Sequence, residues 1–196
     1  MAEIETSLVG SVLTITLNRP EAYNAFTTSM HQALHGALDE ARAADVRAVV
    51  ITGAGKGFCA GQDMKEFESV DRDIAGHLEA NYHPNVRTIR ALEKPVIAAV
   101  NGAAAGAGLS LACACDIRIA ADNAAFVPGF IGIGLVPDSG GTFYIARLLG
   151  PSRKSSVFVA AAWSRASSAS CSSSVARVAR SRRCLVIPIA TVGPAA

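Results

Sequence analysis

Short apolar runs recur along the first three quarters of the chain, and each has the length of a strand. Residues 11–17 (SVLTITL) alternate apolar and polar side chains, which is typical of a half-buried strand. The largely apolar run at residues 47–52 predicts a strand buried on both faces. Residues 96–100 and 117–120 predict two further strands.

Amphipathic stretches lie between these runs. Thr27 or Thr28 can cap a helix that continues to about residue 44, and a later helix is predicted over residues 142–149. Strands that alternate with helices at this spacing predict an α/β fold with crossover connections. The first helix has apolar side chains at helical spacing: Met30, Leu34, Leu38 and Ala41.

Two histidines lie one turn apart in the first predicted helix. Gln32 follows His31, so the Glu of a zinc-protease pattern is missing. We therefore predict that His31 and His35 are surface residues. The sequence has no other cluster with metal-ligand spacing, and no metal site is expected.

The stretch at residues 95–115 carries no charged side chain. It predicts a buried strand over residues 95–100, a glycine-rich turn, and a helix from about residue 106 to 115 that is apolar all round and therefore enclosed. Its 21 residues could cross a membrane. Asn101 and the small residues after it favour a buried strand and helix instead, so no membrane contact is expected.

Small residues occupy the predicted start of this helix. At Gly106, Ala107 and Gly108 a ligand could come close to backbone N–H groups. These groups lack intrahelical acceptors and lie at the positive end of the helix dipole, which suits a phosphate, a carboxylate or a developing oxyanion. Close packing of strand against helix would need the same small residues, so the pattern alone leaves both interpretations open.

Composition and charge divide the chain near residue 150. Residues 1–150 carry 11 Lys/Arg and 16 Asp/Glu, whereas residues 151–196 carry 7 Lys/Arg and no acid. Residues 152–181 contain eleven serines without lasting periodicity, as expected from an out-of-frame or disordered segment. We predict a core at residues 1–151 and an atypical Ser/Arg/Ala-rich tail at residues 152–196.

The cysteines and the N-terminus indicate a reducing compartment. None of the five cysteines forms a C-x-x-C pair, and Cys113 and Cys115 lie in the apolar helix. The first residues show no signal-peptide pattern, so a cytoplasmic location is expected. Aromatic residues do not alternate with basic ones, and no nucleic-acid partner is expected.

Three segments fit one chemistry. They are GKGFCAGQDMKEF after the strand at residues 47–52, NGAAAGAG at the start of the apolar helix, and GLVPDSGGT. Two turns at the carboxyl ends of neighbouring strands could each aim a backbone N–H at one carbonyl oxygen and stabilise an enolate. With these segments and LNRPEAYNAF, the chain resembles the crotonase superfamily of enoyl-CoA hydratases and isomerases over residues 11–151.

The resemblance implies a fold, a ligand and an assembly. A crotonase-like chain folds as a spiral of ββα units, binds an acyl-CoA thioester between its two loops, and forms a homo-trimer or hexamer. Coenzyme A is part of the substrate, so no separate cofactor is implied. The C-terminal helical part of such a chain closes the acyl pocket and mediates trimer contacts, and here that part is missing or altered.

The resemblance also implies site residues. The oxyanion donors would be the backbone N–H groups of Gln62 and Ala107. Asp63, Met64 and Lys65 would follow Gln62 along the CoA moiety, with Lys65 either meeting a phosphate or facing solvent, and Asp63 bonding loop amides. The other substrate-binding positions are Ala60, Gly106 and Phe130.

Departures from the family pattern indicate the subclass. Hydratases place two water-holding Glu residues where this chain has Ser110 and Phe130, neither of which is an acid or base. Asp138 could carry a proton from one carbon to another, although it could also be a helix N-cap. The spellings AGQD, AAGAG and VPDSGGT are most similar to the 1,2-epoxyphenylacetyl-CoA isomerase branch.

We therefore expect an acyl-CoA isomerase. An enoyl-CoA hydratase that uses another base, or a truncated and inactive acyl-CoA-binding product, are the open alternatives. Residues 70–87 lack a clear pattern and could form a mobile wall of the acyl pocket, with His77 and His83 as bystanders.

Overall fold

The computed structural model of the chain describes residues 2–67, 73–130 and 134–150. The predicted tail at residues 152–196 lies outside the described residues, so the predicted domain boundary stays a prediction. The strands are β1 (Ile4–Val9), β2 (Val12–Leu17), β3 (Ala48–Gly53), β4 (Gly57–Cys59), β5 (Val96–Val100), β6 (Ala103–Ala105), β7 (Ile117–Ala120) and β8 (Ala125–Val127). The α-helices are α1 (Thr28–Glu40), α2 (Met64–Phe67), α3 (Ile74–His77), α4 (His83–Ala91), α5 (Ala107–Ala114) and α6 (Gly141–Leu149).

The strands form two sheets. The larger has the order β1-β2-β3-β5-β7, and the smaller has the order β4-β6-β8. The β1–β2 pair is antiparallel and the other neighbouring pairs are parallel. In the chain, β3, β5 and β7 are each followed by a strand of the smaller sheet and then by helix. This repeated ββα path confirms the predicted α/β, crotonase-like class.

The four strands predicted from the pattern are confirmed as β2, β3, β5 and β7, within one residue at each end. The expectation that β3 is buried on both faces is wrong in part. Val49 and Ile51 are fully buried, whereas Val50 and Thr52 on the other face are only partly covered.

The first strand, β1, does not follow from the pattern, because only Ile4 of its six residues is buried. It pairs with β2 along its whole length. Gly10 and Ser11 connect the two strands, and both have positive φ angles, 55° and 67°. A turn of this kind matches the twist of a hairpin, so pairing rather than burial forms β1.

Helix α1 begins as predicted but ends early. The Thr27 hydroxyl accepts a hydrogen bond from the Met30 amide at 3.1 Å, which is an N-cap. The helix ends at Glu40 rather than near residue 44. The carbonyls of Ala41 and Ala43 instead accept hydrogen bonds from the Lys94 ammonium, which caps the C-terminus. The four predicted apolar positions are all buried.

Helix α5 is enclosed, as its all-round apolar sequence predicts. Each of its eight residues is buried. At its C-terminus the buried guanidinium of Arg118, on β7, donates to the carbonyls of Ala112, Cys113 and Cys115. A cation at this end of the helix satisfies carbonyls that have no partner within the helix.

Residues 70–87 have no clear sequence pattern, yet the part of this stretch that the structure describes is helical. A π-helix, Leu78–Tyr82, joins α3 to α4. The i→i+5 hydrogen bonds of a π-helix interrupt the 3.6-residue spacing of apolar side chains, which explains why the sequence gives no clear helical signal here.

The prediction that His31 is a surface residue is wrong. Its side chain is 3% exposed and stacks on Phe26, with ring centroids 4.3 Å apart. His31 lies three residues before Leu34 and seven before Leu38, which places it on the apolar face of α1. This spacing is the feature of the sequence that predicts a buried side chain at His31. His35 keeps 43% of its side chain exposed.

Candidate active site

The loop after β4 carries the first predicted oxyanion donor. The Phe26 amide donates to the Gly61 carbonyl at 2.7 Å, and the Asp63 amide donates to the Phe26 carbonyl at 2.9 Å. In a parallel bridge of this kind the residue between the two bonds has its own N–H on the opposite side. The N–H of Gln62 therefore points away from Phe26.

Asp63 and Arg19 fix the base of this loop. One Asp63 carboxylate oxygen accepts from the Lys65 amide at 3.0 Å, and the other pairs with Arg19 at 3.0 Å. Burial alone would raise the pKa of Asp63, but the hydrogen bonds from Arg19 and the loop amides outweigh it and lower that pKa. The expectation that Asp63 bonds loop amides is confirmed, whereas the part played by Arg19 was missed.

The second turn, at the start of α5, packs directly against the first loop. A Cβ on Gly61 would lie 3.2 Å from the Ala107 nitrogen and 2.9 Å from the Ala105 carbonyl oxygen. A Cβ on Gly108 would lie 2.3 Å from the Cys59 carbonyl oxygen. Gly61 and Gly108 are therefore needed for the close approach of the two turns, and Gly61 also has a φ of +94°.

Gly106 differs from these two glycines. Its φ of +51° and ψ of −122° suit glycine, yet none of the residues that the structure describes lies within 4 Å of an added Cβ. The two interpretations of this turn thus apply to different residues. Gly108 serves close packing, while the space beside Gly106 leaves the backbone at the start of α5 open to a ligand.

The Asp138 loop contacts helix α5, whose first turn carries Ala107. The Ser110 hydroxyl, one turn after Ala107, donates to the Asp138 backbone carbonyl at 3.1 Å. An added Cβ on Gly141 would lie 2.7 Å from that hydroxyl oxygen. Ser110, which the resemblance aligns with a Glu of the hydratases, thus makes a hydrogen bond between α5 and the Asp138 loop.

The surroundings of Asp138 shift its pKa in opposite directions. Burial raises the pKa of Asp138 above its usual value, although the Ser139 hydroxyl, which donates to the carboxylate at 3.0 Å, and the charge of His83 oppose the rise. The Asp138 carbonyl also accepts from the Gly141 amide at 2.7 Å, at the start of α6. The N-cap of α6 is Gly140, so the alternative that Asp138 is the helix N-cap is wrong.

Two spaces meet at the Asp138 loop. A small cavity of about 10 Å³ is lined by Tyr82, Ala107 and Ser139, which brings the second turn and the Asp138 loop to one place. An open cleft of about 200 Å³, lined in part by His83 and Arg87, lies beside Ser139 and Gly140.

The remaining predicted substrate positions are divided between surface and interior. Ala60, Met64 and Lys65 are exposed, beside the first loop. Phe130 is 5% exposed and follows Gly129, where an added Cβ would lie 3.7 Å from the Gly106 nitrogen. The positions beside the first loop are therefore accessible to solvent, whereas Phe130, near the second turn, is enclosed.

Sequence reasoning missed a group of buried polar residues beneath the first loop. The Tyr82 hydroxyl donates to the Gln62 side-chain oxygen, and the Asn85 amide contacts the His31 Nδ1 at 3.2 Å. The ring of Tyr82 lies 3.9 Å from that of His31, centroid to centroid. Their position in and after a π-helix left no periodic signal for them.

Within the described ranges, no three His, Cys, Asp or Glu side chains are arranged to hold a metal ion. No helix in those ranges has the length and apolar content needed to cross a membrane.

Comparisons with known proteins agree with this geometry. Residues 8–179 match the family model for enoyl-CoA hydratase/isomerase. The 1,2-epoxyphenylacetyl-CoA isomerase of Escherichia coli K12 is 47% identical over 148 residues, which cover 72% of this chain and 56% of that protein. The short-chain-enoyl-CoA hydratase of Clostridium acetobutylicum is 40% identical over 143 residues, covering 72% of this chain and 55% of that protein.

Among solved structures, the enoyl-CoA hydratase from Bacillus anthracis is similar with a TM-score of 0.76 at 33% identity. The match covers 80% of this chain and 62% of that chain. The chain thus spans slightly more than half the length of these curated relatives.

Proposed function

Because the chain belongs to the enoyl-CoA hydratase/isomerase family, we propose that it is an acyl-CoA isomerase that stabilises an enolate. The observation that carries the proposal is the contact between the Gly61 loop and the Ala107 turn. It puts the backbone of two separate turns beside each other, and Ser139, which follows Asp138 in the chain, lines a small cavity together with Ala107.

In the proposed reaction, the thioester oxygen lies between the backbone N–H groups of Gln62 and Ala107. The Asp138 carboxylate takes a proton from a carbon near the thioester, and the electron pair that is left moves toward the thioester oxygen. The two amides stabilise this negative charge, and each such donor contributes about 3 kcal/mol to the transition state. Asp138 then returns the proton to a different carbon.

The residues around Asp138 favour isomerisation over hydration. Hydration needs groups that hold and split a water molecule, and Ser110 and Phe130 offer neither an acid nor a base at the relevant positions. Isomerisation needs only one carboxyl that can be protonated and deprotonated. The raised pKa of Asp138 supports this use of the residue.

Substrate binding follows from the same site. Met64 and Lys65, exposed beside the first loop, would contact the CoA moiety, which then positions the acyl group for proton transfer. The acyl group would extend past Ala107 toward Phe130 and the open cleft beside Ser139. No separate cofactor is required, and a homo-trimer or hexamer is the assembly we propose.

The test is an isomerisation assay with 3-hexenoyl-CoA on the purified chain and its Asp138→Asn variant. We expect the variant to lose at least about 100-fold in kcat while keeping its affinity for CoA. The exposed Asp122→Asn is the matched control and should keep full activity. Wild-type activity should fall as the pH drops through the raised pKa of Asp138, because the proton-accepting carboxylate is then lost.

The alternatives give different results in the same experiment. Hydration of crotonyl-CoA that survives Asp138→Asn would favour a hydratase with another base. A wild-type chain that binds CoA in calorimetry but turns over neither substrate would favour an inactive acyl-CoA-binding product.

A further inference from the structure

Tyr82 connects the helical segment beneath the site to the first loop. It is 4% exposed, at the last residue of the π-helix. Its hydroxyl donates to the side-chain oxygen of Gln62. The side-chain nitrogen of Gln62, Nε2, donates to the Asp63 backbone carbonyl at 3.2 Å. This bond fixes the orientation of the side-chain amide and leaves its oxygen to accept from Tyr82.

The loop that Tyr82 contacts is held by backbone hydrogen bonds on either side of Gln62 rather than at Gln62 itself. Gly61, directly before Gln62, has a φ of +94° and lacks a side chain that would restrict rotation. The bridge to Phe26 uses the backbone groups of Gly61 and Asp63 but not those of Gln62. The backbone bridge thus fixes the two neighbours of Gln62, and the hydrogen bonds of the Gln62 side chain are the ones that this residue makes itself.

The ring of Tyr82 is itself held on several sides. It meets His31 at 3.9 Å and Phe26 at 6.0 Å between centroids, both edge-on. His77 lies 5.8 Å away and its Nε2 is 3.4 Å from the Gln62 oxygen. Edge-on aromatic contacts of this kind restrict the ring, so the hydroxyl is presented at a fixed position.

We propose that Tyr82 is a positioning residue that orients the Gln62 backbone N–H toward the thioester oxygen. The inference rests on the proposed function, since it concerns the first oxyanion donor. Tyr82 does not touch the reacting atoms. It acts through the side chain of Gln62, and the insertion of a π-turn in the helix brings its hydroxyl to that side chain.

The protonation of Tyr82 is consistent with this part. Burial, followed by the nearby charge of Asp138, raises the pKa of the Tyr82 phenol. The hydroxyl therefore keeps its proton at all pH values where the enzyme would work, and it can donate throughout.

The test is Tyr82→Phe, which removes only the hydroxyl. We expect kcat for 3-hexenoyl-CoA to fall about tenfold, the loss of one neutral hydrogen bond, with KM and CoA affinity unchanged. Tyr23→Phe, at a side chain that is 57% exposed, is the control and should match the wild type. An unchanged kcat, or a loss confined to KM, would overturn the proposal.

A second measurement separates this inference from the proposed function. Hydrogen exchange of the Asp63 amide, which donates to the Phe26 carbonyl directly after Gln62, should accelerate in Tyr82→Phe when followed by NMR, while exchange in α5 stays as in the wild type. If the wild type shows no turnover but the exchange still accelerates, the proposed function fails and the positioning contact stands. If the Asp63 amide exchanges at the wild-type rate, the positioning role is wrong whatever the activity.

Discussion

At the scale of single residues, three glycines near the site serve different physical purposes. Gly61 combines a positive φ with close contacts to the second turn, and Gly108 allows the approach of Cys59. At Gly106, by contrast, no described residue lies close to the position of an added Cβ. The sequence predicts that this region needs small residues, but it cannot distinguish packing from ligand access. The distinction depends on which neighbour each missing side chain would meet, and that is a tertiary property.

His31 makes stability depend on pH. Burial, and then the charge of His77, lowers the pKa of His31 from 6.5 to about 3. Between these values the unfolded chain binds a proton that the folded chain does not, so stability falls as the pH drops from about 6.5 toward 3. At pH 5 the loss relative to pH 7.5 is roughly 2 kcal/mol from this residue.

We expect His31→Phe, which keeps a ring between Phe26 and Tyr82, to unfold in urea with a smaller difference between pH 7.5 and pH 5 than the wild type. Contributions that the two proteins share cancel in this comparison, so the difference reports on His31 and its electrostatic contact with His77. An identical pH dependence in the two proteins would mean that His31 is protonated as easily in the folded chain as in the unfolded one.

At the scale of elements, helix α5 depends on contacts at both of its ends. Its first turn packs against the loop after β4, and its last turn is capped by Arg118. The guanidinium is 2% exposed and donates to four carbonyls, at 2.7 Å to Cys115 and at 3.3 Å to the other three. Residues that would position Ala107 are therefore stabilised in part from the far end of the helix.

Arg118→Met should lower the free energy of unfolding by about 3 kcal/mol, because buried carbonyls lose a charged donor. Urea denaturation gives the value. The control is Arg147→Met, an exposed arginine on α6, which should change stability by less than about 0.5 kcal/mol. A variant at Arg118 as stable as the wild type would show that the helix needs no such cap.

The helices and strands also show which parts of the fold can be predicted from the sequence. Apolar patterns predict α1, α5 and the strands β2, β3, β5 and β7, and in all of these but β7 the apolar side chains are largely buried. They do not predict β1, which pairing forms, or the π-helix, whose spacing differs from 3.6 residues. Tyr82 and Asn85 lie in or beside that π-helix, so part of the site was missed for the same reason that the element was missed.

At the scale of the whole molecule, two sheets and the helices between them bring three distant segments together. The first loop, the Ala107 turn and the Asp138 loop are separated by about 30 to 45 residues along the chain, and the ββα path returns each to one edge. The motifs were recognisable in the sequence because short glycine-rich turns carry them. Their mutual contact is set by the parallel register of β4, β6 and β8.

The two proposed oxyanion donors can be tested through the ¹³C resonance of butyryl-CoA that is labelled at the thioester carbonyl and bound to the chain. Two backbone donors at one oxygen polarise the carbonyl, so we expect a downfield shift relative to free butyryl-CoA. Gly61→Ala should remove most of the shift, since its Cβ would press on Ala105 and Ala107 and part the two turns. Gly10→Ala, with a similar positive φ but open surroundings, should keep it. If the bound carbonyl has the same chemical shift as the free thioester, the two proposed donors do not act on it.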